Sequence, residues 1–149
     1  MSLKERLNAD FKEAMKAKDE VRKNTVNFVR AAIKQYEVDN REEVDDSKII
    51  EILTKQVKMR KDALADFEKA GRTDLKESYN KEIEVLMGYL PEQLGDEELK
   101  TIIKDAAKQL GIESGNQNMG KLMSAVMPKV KGVADGGNVR KLIEAFLAE

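Results

Sequence analysis

The chain has 149 residues, 41% of them hydrophobic and 37% charged, and its 27 basic and 28 acidic side chains leave a formal net charge of -1. That length fits one domain or two small ones, and the near-neutral balance gives no overall pull toward nucleic acid or an anionic membrane, so any such affinity has to sit in a local patch. The absence of Cys and His removes thiol nucleophiles, imidazole acid and base chemistry, disulfides and the usual zinc ligands, which closes most familiar enzyme mechanisms.

Abundant Ala, Glu, Lys and Leu favour amphipathic helices over sheets, and the chain reads as all-α. Ser2, three residues before Glu5, forms a capping box for a first helix whose stripe is Leu3, Leu7, Phe11 and Met15. A second helix follows Asp19, with Val21, Phe28, Val29, Ala32, Ile33 and Tyr36 facing one way. The acidic stretch from Glu37 to Asp46, six carboxylates against Arg41, interrupts that period and is expected to be a loop able to repel or select partners. Ser47 is the expected cap of a third helix carrying Ile50, Leu53, Val57, Leu64 and Phe67, stopped by Gly71. Its outer face, including "KMRKD" at Lys58 to Asp62, reads as solvated surface. Thr73 caps a fourth helix with Leu75, Tyr79, Ile83, Leu86 and Leu90, ending at Pro91 because proline disfavours helical geometry in the residue before it. These four helices make an N-terminal bundle over residues 1–90.

Pro91 and Gly95 bracket a turn that opens a smaller C-terminal unit, residues 91–149. Asp96 caps a helix burying Leu99, Ile102, Ile103 and Leu110, and Gly111 closes it. The polar loop "ESGNQN" leads to Asn118 as the cap of a helix from Met119 to Met127, and a last helix covers Asn138 to Ala148. No repeat or low-complexity tract interrupts the pattern. No apolar run approaches the roughly 20 residues that span a bilayer, and Leu3 to Lys18 mixes charge throughout, unlike a leader peptide. A cytoplasmic protein without a membrane partner is the expectation.

The stretch "MGKLMSAVMPKVKGVADGGNVRKLIEAF" holds the chemistry-bearing residues. Met119, Met123 and Met127 recur every fourth residue beside Leu122 and Val126, which reads as core packing, with a groove for a partner helix as the alternative. Pro128 is expected to end this helix. Lys129 and Lys131 then flank Val130 in an extended segment, both amines on one side. Gly132, Gly136 and Gly137, with Asp135 ahead of the last two, make a glycine-bearing loop that feeds a helix N-terminus, an arrangement suited to a phosphate. Lys121, Lys129, Lys131, Arg140 and Lys141 face a single acid, Asp135, between Met119 and Lys141, a local charge of +4 on a chain of net -1. The same residues also make sense as a solvated turn, and both readings stay open here. There is no phosphate-loop or dinucleotide fingerprint and no aromatic beside the loop on which a base could stack. Lysine contacts of this kind would position an RNA backbone without reading sequence.

At these residues a resemblance enters. "YLPEQL" at Tyr89 to Leu94, the upstream "RKDALADFEKAGRTDL" and "MGKLMSAVMPKVKGVADGGNV" resemble the YqeY-like proteins of the GatB/YqeY family, which are similar to the C-terminal tail of the B subunit of tRNA-dependent amidotransferases. The resemblance covers essentially the whole chain, although Val133 stands where it leads one to expect Lys or Arg. It implies a two-part helical module whose counterpart tail contacts transfer RNA. Ammonia generation and ATP-dependent activation of misacylated Glu-tRNA or Asp-tRNA belong to other parts of that enzyme.

Carried onto this chain, the resemblance makes Lys121, Lys129 and Lys131 candidate RNA contacts, with Gly120, Pro128, Gly132, Asp135 and Gly136 shaping the loop; Arg140 and Lys141 join them on charge. It also links the chain to carbon-nitrogen ligation with glutamine as nitrogen donor, a reaction the isolated chain is not expected to catalyse. No catalytic residue, cofactor or metal ligand can be named. The leading expectation is a tRNA-binding accessory module, and the runner-up is a protein-interaction module using the methionine-rich helix.

Overall fold

The structure, a computed structural model, describes residues 1–149 as seven α-helices, a single 3-10 turn and no strand. The chain is all-α, as its composition indicates. It divides into two compact units, Met1–Leu90 and Pro91–Glu149.

Four helices build the first unit: α1 (Leu3–Ala17), α2 (Glu20–Asn40), α3 (Asp46–Lys69) and α4 (Thr73–Met87). The capping box at Ser2 and Glu5 forms, satisfying two backbone donors reciprocally. Asp19 caps α2 by accepting from the Arg22 amide. The core gathers Leu7, Val26, Val29, Ile33, Ile49, Leu53, Val57, Leu86 and Tyr89. Several expectations shift by part of a turn. Helix α2 runs through the acidic stretch as far as Asn40, leaving only a short connection before α3; Gln35 donates to Asp39 and Asn40 to the Tyr36 carbonyl, so side chains support the last turn. Asp45, not Ser47, caps α3, its carboxylate accepting from the Lys48 amide at 2.8 Å. Ile49 rather than Ile50 enters the core. Phe28, expected inside, is 57% exposed. Helix α4 stops at Met87, ahead of Leu90.

Two polar anchors sit in this unit. Arg60, inside the supposedly solvated "KMRKD" face, is only 7% exposed, and its guanidinium lies 3.7 Å from Glu82 on α4 and donates to the Gln56 side chain and carbonyl. Its Nε has no hydrogen-bond partner. Tyr89 donates its hydroxyl to Asp10, with Arg6 stacked 4.6 Å from its ring and Arg22 3.3 Å from the same aspartate. Burial, then the bond to Asp10, pushes the Tyr89 hydroxyl well above its ordinary pKa.

The second unit contains α5 (Asp96–Leu110), the 3-10 turn Asn116–Asn118, α6 (Met119–Val130) and α7 (Gly136–Leu147). Its core is Leu99, Ile103, Ala106, Ala107, Ile112, Leu122, Val126, Val130, Val139, Ile143 and Leu147. Leu110, expected in that core, is half exposed. Gly95 occupies the N-cap position of α5, and Asp96, expected there, is the first helical residue.

Candidate nucleic-acid-binding surface

Leu122, Val126 and Val130 are four residues apart and fully buried, so they are the stripe that fixes α6 to its unit. Met119, Met123 and Met127 are half-buried beside it, packed against the core, which is the gap-filling use of methionine.

Pro128 does not end the helix. It lies inside α6, which continues to Val130. Proline removes one N–H and so deprives the Ser124 carbonyl of its usual partner, but the burial of Val130 and the bond from the Val133 amide to the Val130 carbonyl at 3.0 Å hold the last turn in place. Lys129 is therefore helical and Lys131 is the C-cap. Two positions on a helix differ by about 200° about its axis, so these lysines do not form the one-sided extended pair that the sequence suggests.

The turn beyond them is built from backbone contacts. Gly132 is buried with φ of +79°, a left-handed conformation that side chains other than glycine's resist. Its carbonyl accepts from the Gln93 side chain at 3.0 Å, and the Val133 carbonyl accepts from the Leu94 amide at 2.8 Å. Gln93 and Leu94 carry no charge and no periodic signal, and sequence reasoning assigned them no role. Their presence in "YLPEQL" beside a proline is the one hint available.

Asp135 is the N-cap of α7 and accepts from the Gly137 amide at 3.1 Å. A carboxylate therefore already occupies the end of the helix where a phosphate would sit, and the glycine loop is not an empty anion cradle. Gly136 lies against the Met127 side chain, whose Cε would stand 3.4 Å from an added Cβ. Gly120, expected to shape the loop, is an exposed position of the first turn of α6 with open space around it.

All five candidate cations are exposed. Lys121 is near the start of α6, beside the hollow lined by Ile112, Glu113, Ser114 and Asn118, while Lys129 is about 12 Å farther along the helix at 1.5 Å per residue. Lys129 and Lys131 share the α6 end next to the α7 N-terminus, so the structure groups these two and sets Lys121 apart. Arg140 pairs with Glu144 at 3.3 Å; Lys121, Lys129 and Lys141 make no ion pair. Asn138 donates to Asp96 at 2.9 Å, which brings a further acid to the start of α7. The unit as a whole carries eight bases and nine acids, so the positive character is confined to these side chains. No group of three or more acidic side chains gathers as a metal site, and no helix is long and apolar enough to cross a membrane.

The sequence profile of the YqeY-like protein family matches residues 4–147. The chain belongs to that family. Among similar proteins, "Altered inheritance of mitochondria protein 41, mitochondrial" of Pyrenophora tritici-repentis is 32% identical to this YqeY-like chain over 142 residues, covering 93% of it and 77% of the relative. The protein of that name in Candida glabrata is 33% identical over 124 residues, 80% of this chain and 68% of the relative. That of Kluyveromyces lactis is 38% identical over 84 residues, 56% of this chain and less than half, 45%, of the relative. These relatives overturn the expectation of a cytoplasmic protein, since each is named as mitochondrial. That expectation rested on the missing cysteines, the lack of a bilayer-length apolar run and the mixed charge of Leu3 to Lys18; Leu3–Ala17 form α1, a packed helix whose charge pattern reports its fold rather than a cellular address.

Proposed function

We propose that this YqeY-like chain is a non-catalytic helical module that binds structured RNA through its phosphate backbone, with transfer RNA as the ligand that its resemblance to the amidotransferase tail implies. The supporting observation is the braced α6–α7 turn, where Gln93, Leu94 and a left-handed Gly132 hold the backbone on which exposed lysines are displayed. Cations on a fixed backbone lose less conformational freedom on binding than cations on a floppy loop. Asp135 at the α7 N-terminus steers the reading away from one captured phosphate and toward several separated backbone contacts, which recognise shape rather than sequence.

Replacing Lys121, Lys129 and Lys131 together by Gln tests this. Roughly 0.7 to 0.9 of a counterion is released per phosphate contact, so three lost contacts lower the log-log salt slope of tRNA binding by about two to three units. Helicity and thermal stability stay nearly unchanged, because exposed lysines contribute little to folding. The reading fails if the unmodified chain shows no salt-sensitive binding in anisotropy measurements, or if the triple variant keeps its affinity and slope.

One observation favours a second reading, a partner helix docked on α6: the methionines at 119, 123 and 127 are half-buried and so keep part of their flexible apolar surface at the rim of the core. Binding that survives the triple lysine change and is lost on replacing Met123 by Glu would favour it over RNA.

A further inference from the structure

In the N-terminal unit, α1 and α2 line an open cleft of about 520 Å3 whose lining also includes Leu7, Ala31 and Ile33, a size suited to a small ligand or a fragment of a larger one. Its walls include Lys4 and Asn8 from α1, and Asn27, Arg30, Lys34 and Glu37 from α2. The carboxylate among them is already neutralised: Lys4 Nζ donates to Glu37 Oε2 at 2.9 Å and to Oε1 at 3.2 Å. Arg30 and Lys34 thus leave the cleft with two uncompensated positive charges, and neither forms an ion pair.

The surroundings of Arg30 are unlike those of an ordinary surface arginine. Its Nε donates to Asn8 Oδ1 at 2.9 Å and its Nη1 to Asn27 Oδ1 at 3.4 Å, while its guanidinium lies 4.2 Å from the centre of the Phe11 ring. Neutral amide oxygens aim the group without cancelling its charge, and the ring fixes its plane. Nη2 is left without a protein acceptor. An arriving anion has no existing ion pair to displace at Arg30 and little side-chain freedom to remove.

We propose that this cleft is a phosphate-binding site. Arg30 supplies a fixed fork edge through Nη2, Lys34 supplies a second cation, and the NH2 groups of Asn8 and Asn27, whose oxygens already accept from Arg30, supply further donors. A phosphomonoester of nucleotide size and the phosphodiester of an RNA share this chemistry. The assignment is independent of the lysines on α6, because it rests on another unit and other residues.

The test uses the full chain with 15N-labelled side chains and follows Arg30 Nε–H and the Asn8 and Asn27 amides by NMR. Inorganic phosphate is titrated against chloride at matched ionic strength. Saturable shifts at these three groups are expected with phosphate and not with chloride. Arg30→Gln weakens binding about tenfold or more, in line with the loss of charge-assisted hydrogen bonds. Lys34→Gln weakens it too and serves if the Arg30 variant unfolds, whereas changing the exposed Lys104 of the other unit to Gln has no effect. Shifts that stay linear, match those of chloride or saturate only elsewhere overturn the site, as does unchanged affinity in a folded Arg30 or Lys34 variant. Two further probes separate the sources. A nucleoside monophosphate that binds more tightly than phosphate points to a small metabolite, and a short RNA that displaces phosphate while the mononucleotide gains nothing points to a phosphodiester; either result upholds the cleft.

Discussion

Gln93 Nε2 donates to the backbone carbonyl of Gly132 at 3.0 Å and also to that of Pro91 at 2.7 Å, so one neutral side chain ties the entry of the second unit to the turn after α6. This bond separates the shape of the candidate surface from its charge. Gln93→Leu leaves the Gly132 carbonyl without that donor and lowers the stability of the unit by about 1 to 2 kcal/mol in urea unfolding. Gly132→Val forces a branched residue into a left-handed conformation and destabilises by more than about 1 kcal/mol. Both variants are expected to weaken RNA affinity while leaving the salt slope intact, whereas the lysine changes lower affinity and slope together.

The pair Arg60 and Glu82 gives a sharper stability test. Both side chains are largely buried, at 9% and 15% exposure. Removing one partner strands the other, so Glu82→Gln costs about 3 to 5 kcal/mol. Replacing the two together by Met and Leu of similar volume costs much less, since the desolvation of both charges disappears with them. A double-mutant cycle measured by denaturant unfolding reads the difference; equal losses in the single and double variants would count against this account.

Glu37 sets an acid limit. Its hydrogen bond from Lys4, followed by that from the Val44 amide, holds its carboxyl below the ordinary value of 4.5. A pKa lowered by folding stabilises the native state above the unfolded value, and that contribution is lost as pH falls through the native pKa. Stability therefore declines below about pH 4.5 in part through this residue. In the Lys4→Met variant the Glu37 titration, followed by NMR, moves upward and this share of the acid sensitivity shrinks.

Pro128 is a candidate for stabilisation. Because it is exposed and its residue position is already helical, Pro128→Ala restores a backbone donor to the Ser124 carbonyl in the last turn of α6. The gain is about 1 kcal/mol or more, up to the roughly 3 kcal/mol that separates Pro from Ala in a helix interior. Thermal unfolding is the measurement, and a lowered midpoint would show that the proline ring packs productively.

Much of the fold was legible because helix starts are written locally. Ser2 with Glu5, and Asp19 with the amide three residues on, depend on neighbours in the chain alone. The cap of α3 shows the limit: Asp45, Asp46 and Ser47 are all good caps, so nothing local separates them, and Asp45 takes the position. Arg60 was illegible for a related reason. Its burial depends on Glu82 from another helix, and no local pattern distinguishes it from the exposed Lys58 and Lys61 around it. The candidate cations were legible as residues but not as a geometry, because a buried Val130 overrides the tendency of Pro128 to end a helix. The arginine of the α1–α2 cleft was not singled out, since its shorter bond goes to Asn8 on another helix, 22 residues away in the chain.

The two cores have no residue in common: one runs from Leu7 to Tyr89 and the other from Leu99 to Leu147. Each unit can then have its own slowest-exchanging amides, with opening reactions that do not require the other to unfold. Deuterium uptake followed by mass spectrometry would in that case act as a two-channel recorder. Phosphate seated between α1 and α2 slows uptake in peptides from the first ninety residues, and RNA gripped at the α6–α7 turn slows it in the remainder, so one labelling series assigns each ligand to its half of the chain.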